Sequence, residues 1–110
     1  MPVEILKLND ELIQARLQQM GNWSLEKGAI QRIFELPTFP SAIFFVNAVA
    51  HLAELGAHHP DIVIMYNKVK LQFATHSAGG ITEKDFMMAQ KVDELWQTFN
   101  WLPAAPLGAE

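Results

Sequence analysis

Ile62-Val63-Ile64-Met65-Tyr66-Asn67-Lys68-Val69-Lys70-Leu71-Gln72-Phe73-Ala74 is the stretch that decides the fold. Its first five residues are all apolar, the pattern of a strand covered on both faces. From Lys68 onward the pattern alternates. Val69, Leu71 and Phe73 point one way and Lys68, Lys70 and Gln72 the other, as in a strand with one buried face. Asn67 supplies a tight turn between the two runs. The segment therefore predicts a β-hairpin. A second hairpin is predicted upstream, from Trp23 to Glu26 and from Ala29 to Leu36, with Lys27-Gly28 as its turn. Ile30, Phe34 and Leu36 alternate there, and Arg32 interrupts their apolar row.

Three helices are predicted around these hairpins. Asn9 or Asp10 can cap the first, which carries Leu12, Ile13, Leu17 and Met20 and stops at Gly21. Thr38 caps the second, with Pro40 tolerated in its first turn. Phe39, Ala42, Phe45 or Val46, Val49, Ala50 and Ala53 recur at helical spacing, and Pro60 forces an end near Gly56. Thr82 and Asp85 form a capping box for the third, Ile81 and Phe86 a hydrophobic staple, and Met88, Val92, Leu95 and Phe99 an apolar stripe. The order α-β-β-α-β-β-α implies an α+β fold: a four-stranded antiparallel sheet with helices packed on one face. One domain is expected over residues 1–102, and residues 103–110, with Pro103, Pro106 and Gly108, as a flexible tail. The second face of Ile62–Tyr66 then lacks a cover, and a second copy of the chain is the natural candidate.

Composition narrows the chemistry. Of 110 residues, 50% are hydrophobic and only 18% charged, which excludes disorder and points again to apolar surface covered by another subunit. Eight basic against twelve acidic residues leave a net charge of −4, against a nucleic-acid binder working through a basic face. Cysteine is absent, so disulfides, thiolate metal sites and cysteine nucleophiles are excluded. The N-terminal residues do not form a secretory signal, and Ser41–Ala57 is read as too short and too interrupted to span a bilayer. A cytoplasmic protein is the expectation.

Four histidines remain for proton chemistry near neutral pH: His51, His58, His59 and His76. His58-His59-Pro60 lies where a helix gives way to a strand. Neighbouring side chains diverge on either element, so the two imidazoles share a pocket only on irregular backbone, which Pro60 favours. On spacing alone the pair also fits polar residues at a helix end. Glu54, four residues before His58, can hydrogen-bond an imidazole. His76 follows the second strand of the hairpin that His58-His59-Pro60 enters, so three imidazoles can converge at one end of the sheet. Such a trio fits a zinc site or metal-free acid–base catalysis, and the missing HxH or HxxxH spacing favours the latter. Gly79-Gly80 lacks the pattern of a phosphate loop. His51 has no assigned chemistry.

These residues together resemble a known signature. Glu54, His58-His59-Pro60, Tyr66, His76 and Asp85, with Trp23, Phe39, Asn67-Lys68-Val69, Thr75 and Gly79-Gly80-Ile81-Thr82, are similar to the pterin-4a-carbinolamine dehydratases. That family is also known as the dimerization cofactor of a homeodomain transcription factor. The resemblance covers roughly residues 20 to 99. It implies dehydration of 4a-hydroxytetrahydropterin to quinonoid dihydropterin, without metal or other cofactor, in a dimer or tetramer. It further implies His58 and His76 as general acid and base, and His59 as a pterin-binding group that polarises the hydroxyl. Glu54 would tune His58, Pro60 would shape the pocket wall, and Thr75 would contribute a contact. Asp85 belongs to the pattern, yet its capping position assigns it to structure. The resemblance also allows an interaction module on the same fold, a transcriptional cofactor or assembly factor.

Overall fold

The hairpin of residues 62–74 forms one side of a four-stranded antiparallel sheet. In the computed structural model, which describes residues 5–98, the elements are α1 (Asp10–Met20), β1 (Ser24–Glu26), β2 (Ala29–Glu35), α2 (Phe39–Gly56), β3 (Asp61–Met65), β4 (Lys68–Phe73) and α3 (Glu83–Thr98). A single 3-10 turn, His76–Ala78, separates β4 from α3. The α-β-β-α-β-β-α order predicted from the sequence is the order observed. The expected tail over residues 103–110 lies outside the described residues.

The sheet order is β1-β2-β4-β3. β4, the strand with the cleanest alternation, is central, and Phe34↔Val69 and Ile30↔Phe73 set its register against β2. Ile30, Phe34, Val69, Leu71 and Phe73 are buried against Ala42, Phe45, Val49 and Ala53 of α2 and Phe86, Ala89 and Val92 of α3. Period 2 on the strands and period 3.6 on the helices thus meet in one layer of core. α2 begins where Thr38 Oγ1 accepts from the Ser41 amide, and α1 where Asn9 accepts from Leu12. α2 leaves the sequence expectation in one respect. At 18 residues it is long and apolar enough to cross a membrane by length and composition. One stripe of it is core and the other face carries further apolar residues, so the average is high on both sides.

Two sequence irregularities find their reasons here. Arg32 interrupts its apolar row because it reaches α3: its guanidinium meets Asp93 at 2.6 Å and lies 4.3 Å from the Phe34 ring centre. Trp23 Nε1 donates to the same carboxylate at 2.9 Å. One aspartate thus ties the first hairpin to the last helix. The second concerns Ile62–Tyr66, expected to be covered on both faces. β3 is an edge strand, and Val63, Ile64 and Met65 are 38%, 38% and 43% exposed. Among the described residues that cover is absent.

Asp93→Ala strands the indole N–H and the guanidinium in a half-buried site. It should lower unfolding free energy by about 2 kcal/mol, measured as a shifted urea midpoint at unchanged slope.

Candidate functional site

The end of α2 sorts the two adjacent histidines. Ala57 adopts a left-handed conformation (φ 51°), its amide bonds to the Glu54 carbonyl, and the His58 amide reaches back to Ala53. This is a Schellman reversal with alanine where glycine is usual. Gly56 makes the close approach to α3 possible, since a Cβ there would fall 2.5 Å from Met88 Sδ. His58 is thereby brought under α3 and His59 turned outward, and Pro60 keeps His59 out of the helical region.

His58 is held from beneath. Its Nε2 lies 2.5 Å from Asp85 Oδ1, its side chain is 11% exposed, and its ring stacks on Phe73. Asp85 itself is completely buried. Its Oδ2 accepts from the Thr82 amide at 2.9 Å and from the Thr75 hydroxyl at 2.8 Å. The Thr75 hydroxyl donates its one hydrogen to Asp85 in a hydrogen bond, so in its 2.8 Å contact with Thr82 Oγ1 it must accept. Thr82 Oγ1 in turn accepts from the Lys84 amide. Every proton in this chain runs toward the carboxylate. Because a carboxylate only accepts, His58 carries a hydrogen on Nε2, which in the neutral ring leaves Nδ1 as the acceptor. Among the described residues no buried side-chain nitrogen or oxygen lacks a partner.

Two corrections to the sequence reading follow. Glu54 pairs with His59 Nε2, not with His58, and both of these side chains are largely exposed. Asp85 is more than a helix cap, for it is the direct partner of His58. An i,i+4 rule pointed to Glu54, but the helix has already reversed at Ala57, which moves His58 off that face.

A cleft of about 500 Å³ opens at this end of the sheet. Lys27, Gly28, Ala29, His59, Asp61, Gln72, Ala74, Thr75, His76, Gly79 and Gly80 line it. His76 stands on a short loop closed by paired hydrogen bonds between Thr75 and Gly80 (2.9 and 3.3 Å). The structure therefore brings His59 and His76 to one cavity from different elements. His58 does not line it and instead borders a separate small cavity with Gly56, Lys84, Met87, Met88 and Lys91. Thr75 borders the main cleft with its hydroxyl already engaged. Pro60 and Glu54 are not among the lining residues. His51 lies elsewhere, on the outward face of α2. Lys27, Asp61 and Gln72 were not singled out in the sequence. For Asp61 and Gln72 the signal was tertiary: pairing of Gln72 with both Gln31 and Asp61 lays one polar row across three strands. Among the described residues no group of three or more histidine, aspartate or glutamate side chains is placed to hold a metal ion.

A four-stranded sheet with imidazoles, a carboxylate and an amide lining a cleft at one end defines a small α+β domain with an acid–base cleft. The chain belongs to the pterin 4 alpha carbinolamine dehydratase family, whose model matches residues 6–95. A Chloroflexus aurantiacus protein named "Putative pterin-4-alpha-carbinolamine dehydratase" is 52% identical over 89 residues, 81% of this chain and 96% of that protein. An Aquifex aeolicus protein of the same name is 42% identical over 91 residues, 83% of this chain and 92% of its own. Among solved structures, the "transcriptional coactivator/pterin dehydratase" of Brucella melitensis superposes with TM-score 0.76 at 33% identity, covering 81% of this chain and 97% of its own. A pterin dehydratase-like protein described as a RuBisCO assembly factor in the alpha-carboxysome shares the fold, with TM-score 0.57 at 23% identity over 67% of this chain and 88% of its own.

Asp85→Ala removes the acceptor for His58, Thr75 and the Thr82 amide together. A loss of about 3 kcal/mol of stability is expected, the scale for leaving several buried donors without their acceptor. Nitrogen NMR of the wild type should show the neutral His58 ring protonated at Nε2.

Proposed function

We propose that the protein dehydrates 4a-hydroxytetrahydropterin to quinonoid dihydropterin and water by histidine acid–base catalysis, as a step in tetrahydropterin recycling. The observation that carries this reading is the meeting of His59 and His76 in one cleft with Asp61 and Gln72. Hydroxide is a poor leaving group, so an acid must protonate the 4a-oxygen as the carbon–oxygen bond breaks. The departing pair is replaced by the lone pair of the ring nitrogen, whose proton passes to a base. One proton is donated, one is taken up and water leaves, so the acid and base end with their protonation states exchanged. Proton exchange with solvent resets them, and the step needs no redox partner. Imidazoles suit both transfers at neutral pH.

The geometry supports one change in the roles that the resemblance implied. His59 and His76 face the cavity and carry the proton transfers in this proposal. His58, clamped by Asp85, acts as a positioning residue that holds the backbone of His59. The Glu54 carboxylate orients His59 from the solvent side. The proposal carries with it the cytoplasmic location suggested by the sequence, and neither nucleic acid nor membrane is a partner in it.

We infer in addition that the chain works as a homo-oligomer, a dimer or tetramer. Ile62–Tyr66 is an edge segment without charge or proline, and natural edges of that kind are paired or covered. Pairing β3 with its copy would continue the sheet and cover Val63, Ile64 and Met65. The outward face of α2 supplies a second apolar surface, a groove of about 590 Å³ lined by Pro40, Ile43, Phe44, Asn47, Ala48 and His51. The same groove favours the second reading, a protein-interaction module that serves as a transcriptional cofactor or assembly factor.

Chemically prepared 4a-hydroxytetrahydropterin decides the first reading. Wild type should accelerate its dehydration, and His76→Ala should lower kcat/KM by about 10²–10⁴, the range for loss of a general acid or base. The pH–rate profile should bend between about pH 5 and 8, where imidazoles change charge. No acceleration over buffer by the wild type would refute the enzymatic assignment. For self-association, sedimentation should find the wild type as a dimer or larger and Ile64→Lys shifted toward monomer. A monomeric wild type at micromolar concentration removes the edge-pairing proposal.

A further inference from the structure

We propose that the cleft selects pterins whose side chain carries an anionic group, a carboxylate or a phosphate, and that Lys27 is the residue that recognises it. This deepens the pterin reading of the site and rests on it.

Four titratable side chains line the cavity: Lys27, His59, Asp61 and His76. His59 is engaged by Glu54. Lys27 and Asp61, by contrast, enter none of the ion pairs found among the described residues. They stand at opposite sides of the cleft. Asp61 opens β3, Lys27 lies in the turn between β1 and β2, and β4 and β2 run between them. At about 4.8 Å per strand, roughly 10–15 Å separates the two backbone positions. That span matches the long axis of a substituted bicyclic ring.

The chemistry of the two ends differs in the same sense as that of a pterin. The amino-pyrimidine edge presents N–H donors, which an unpaired carboxylate such as Asp61 can accept. The side chain leaves from the opposite ring, toward the end where Lys27 stands. The lining also includes Ala29, Ala74, Gly28 and Gly79, small enough to leave the ring room, and the imidazoles that serve the reacting carbon. The cavity of about 500 Å³ falls in the range of small-molecule sites and exceeds what a bare bicyclic ring fills.

The local backbone adds an independent reason. Lys27 and Gly28 both have positive φ, 49° and 80°, the pattern of a type I′ hairpin turn. Its first position favours asparagine, aspartate or glycine, which tolerate the left-handed region better than lysine does. A long cation therefore occupies a position whose geometry prefers a short polar residue, and it does so at the rim of the cleft. A ligand's negative charge gives that lysine a use that the turn does not.

The test measures equilibrium binding by quenching of pterin fluorescence. Three dihydropterins are compared, bearing a neutral hydroxymethyl, a carboxylate or a phosphomonoester substituent. Wild type should bind at least one anionic ligand about fivefold more tightly than the neutral one, the scale of a partly exposed ion pair, and added salt should erode the difference. Which anionic arm shows the larger preference identifies the group. Lys27→Asn, which suits the turn and so preserves it, should abolish the ratio, and Lys27→Arg should keep it. Equal affinity for all three ligands in the wild type overturns the proposal, as does a preference that survives Lys27→Asn. If the neutral pterin binds and is turned over without charge discrimination, this inference alone fails. If no pterin binds or reacts, the functional reading fails with it.

Discussion

A fully buried carboxylate organises this protein. Asp85 accepts the Thr82 amide that starts α3, the Thr75 hydroxyl that ends the β4 extension, and the ring nitrogen of His58 beyond the end of α2. An unpaired carboxylate in that position would be costly, and the three donors offset that cost. Helix α3, the loop carrying His76 and the reversal carrying His58 and His59 are therefore docked on one side chain. Capping and site assembly are the same set of hydrogen bonds, which is why a capping motif sits inside a functional pattern.

The two adjacent imidazoles show what this anchoring achieves. A Schellman reversal at Ala57 and the restriction imposed by Pro60 send His58 inward and His59 outward. One imidazole is fixed in tautomer and orientation by a buried acceptor chain. The other faces the cleft, where His76 meets it from a separate element. Proton transfer between two groups and a small substrate needs this kind of division: fixed backbone beneath and accessible nitrogens above.

The outer surfaces follow from the same economy of size. With three helices on one face of the sheet, the opposite face and the β3 edge receive no cover from the described residues. The polar row of Gln31, Gln72 and Asp61 suits the open face, where the cleft lies. The apolar edge at Ile62–Tyr66 does not suit water, and it is the part of the structure that asks for a second copy.

Periodicity and punctuation alone were sufficient to determine the element order, the core faces of β2 and β4 and all three helix starts. These are local properties: alternation, helical spacing, a capping threonine or asparagine, a glycine or proline at a boundary. The hairpin at residues 62–74 also showed that one face of its first strand needed a cover, but not that β4 would be central and β3 an edge. The histidines could be named as candidates, and a family pattern could be recognised in them. Their partners could not be read. Glu54 and His58 satisfied an i,i+4 rule that the left-handed residue at position 57 cancels. Asp85 and His58 are 27 positions apart, and Lys27 and Asp61 come to one cleft only because the sheet order is β1-β2-β4-β3. Which polar group meets which is settled by non-local packing, where burial leaves each donor a single acceptor within reach, and no local rule contains that information.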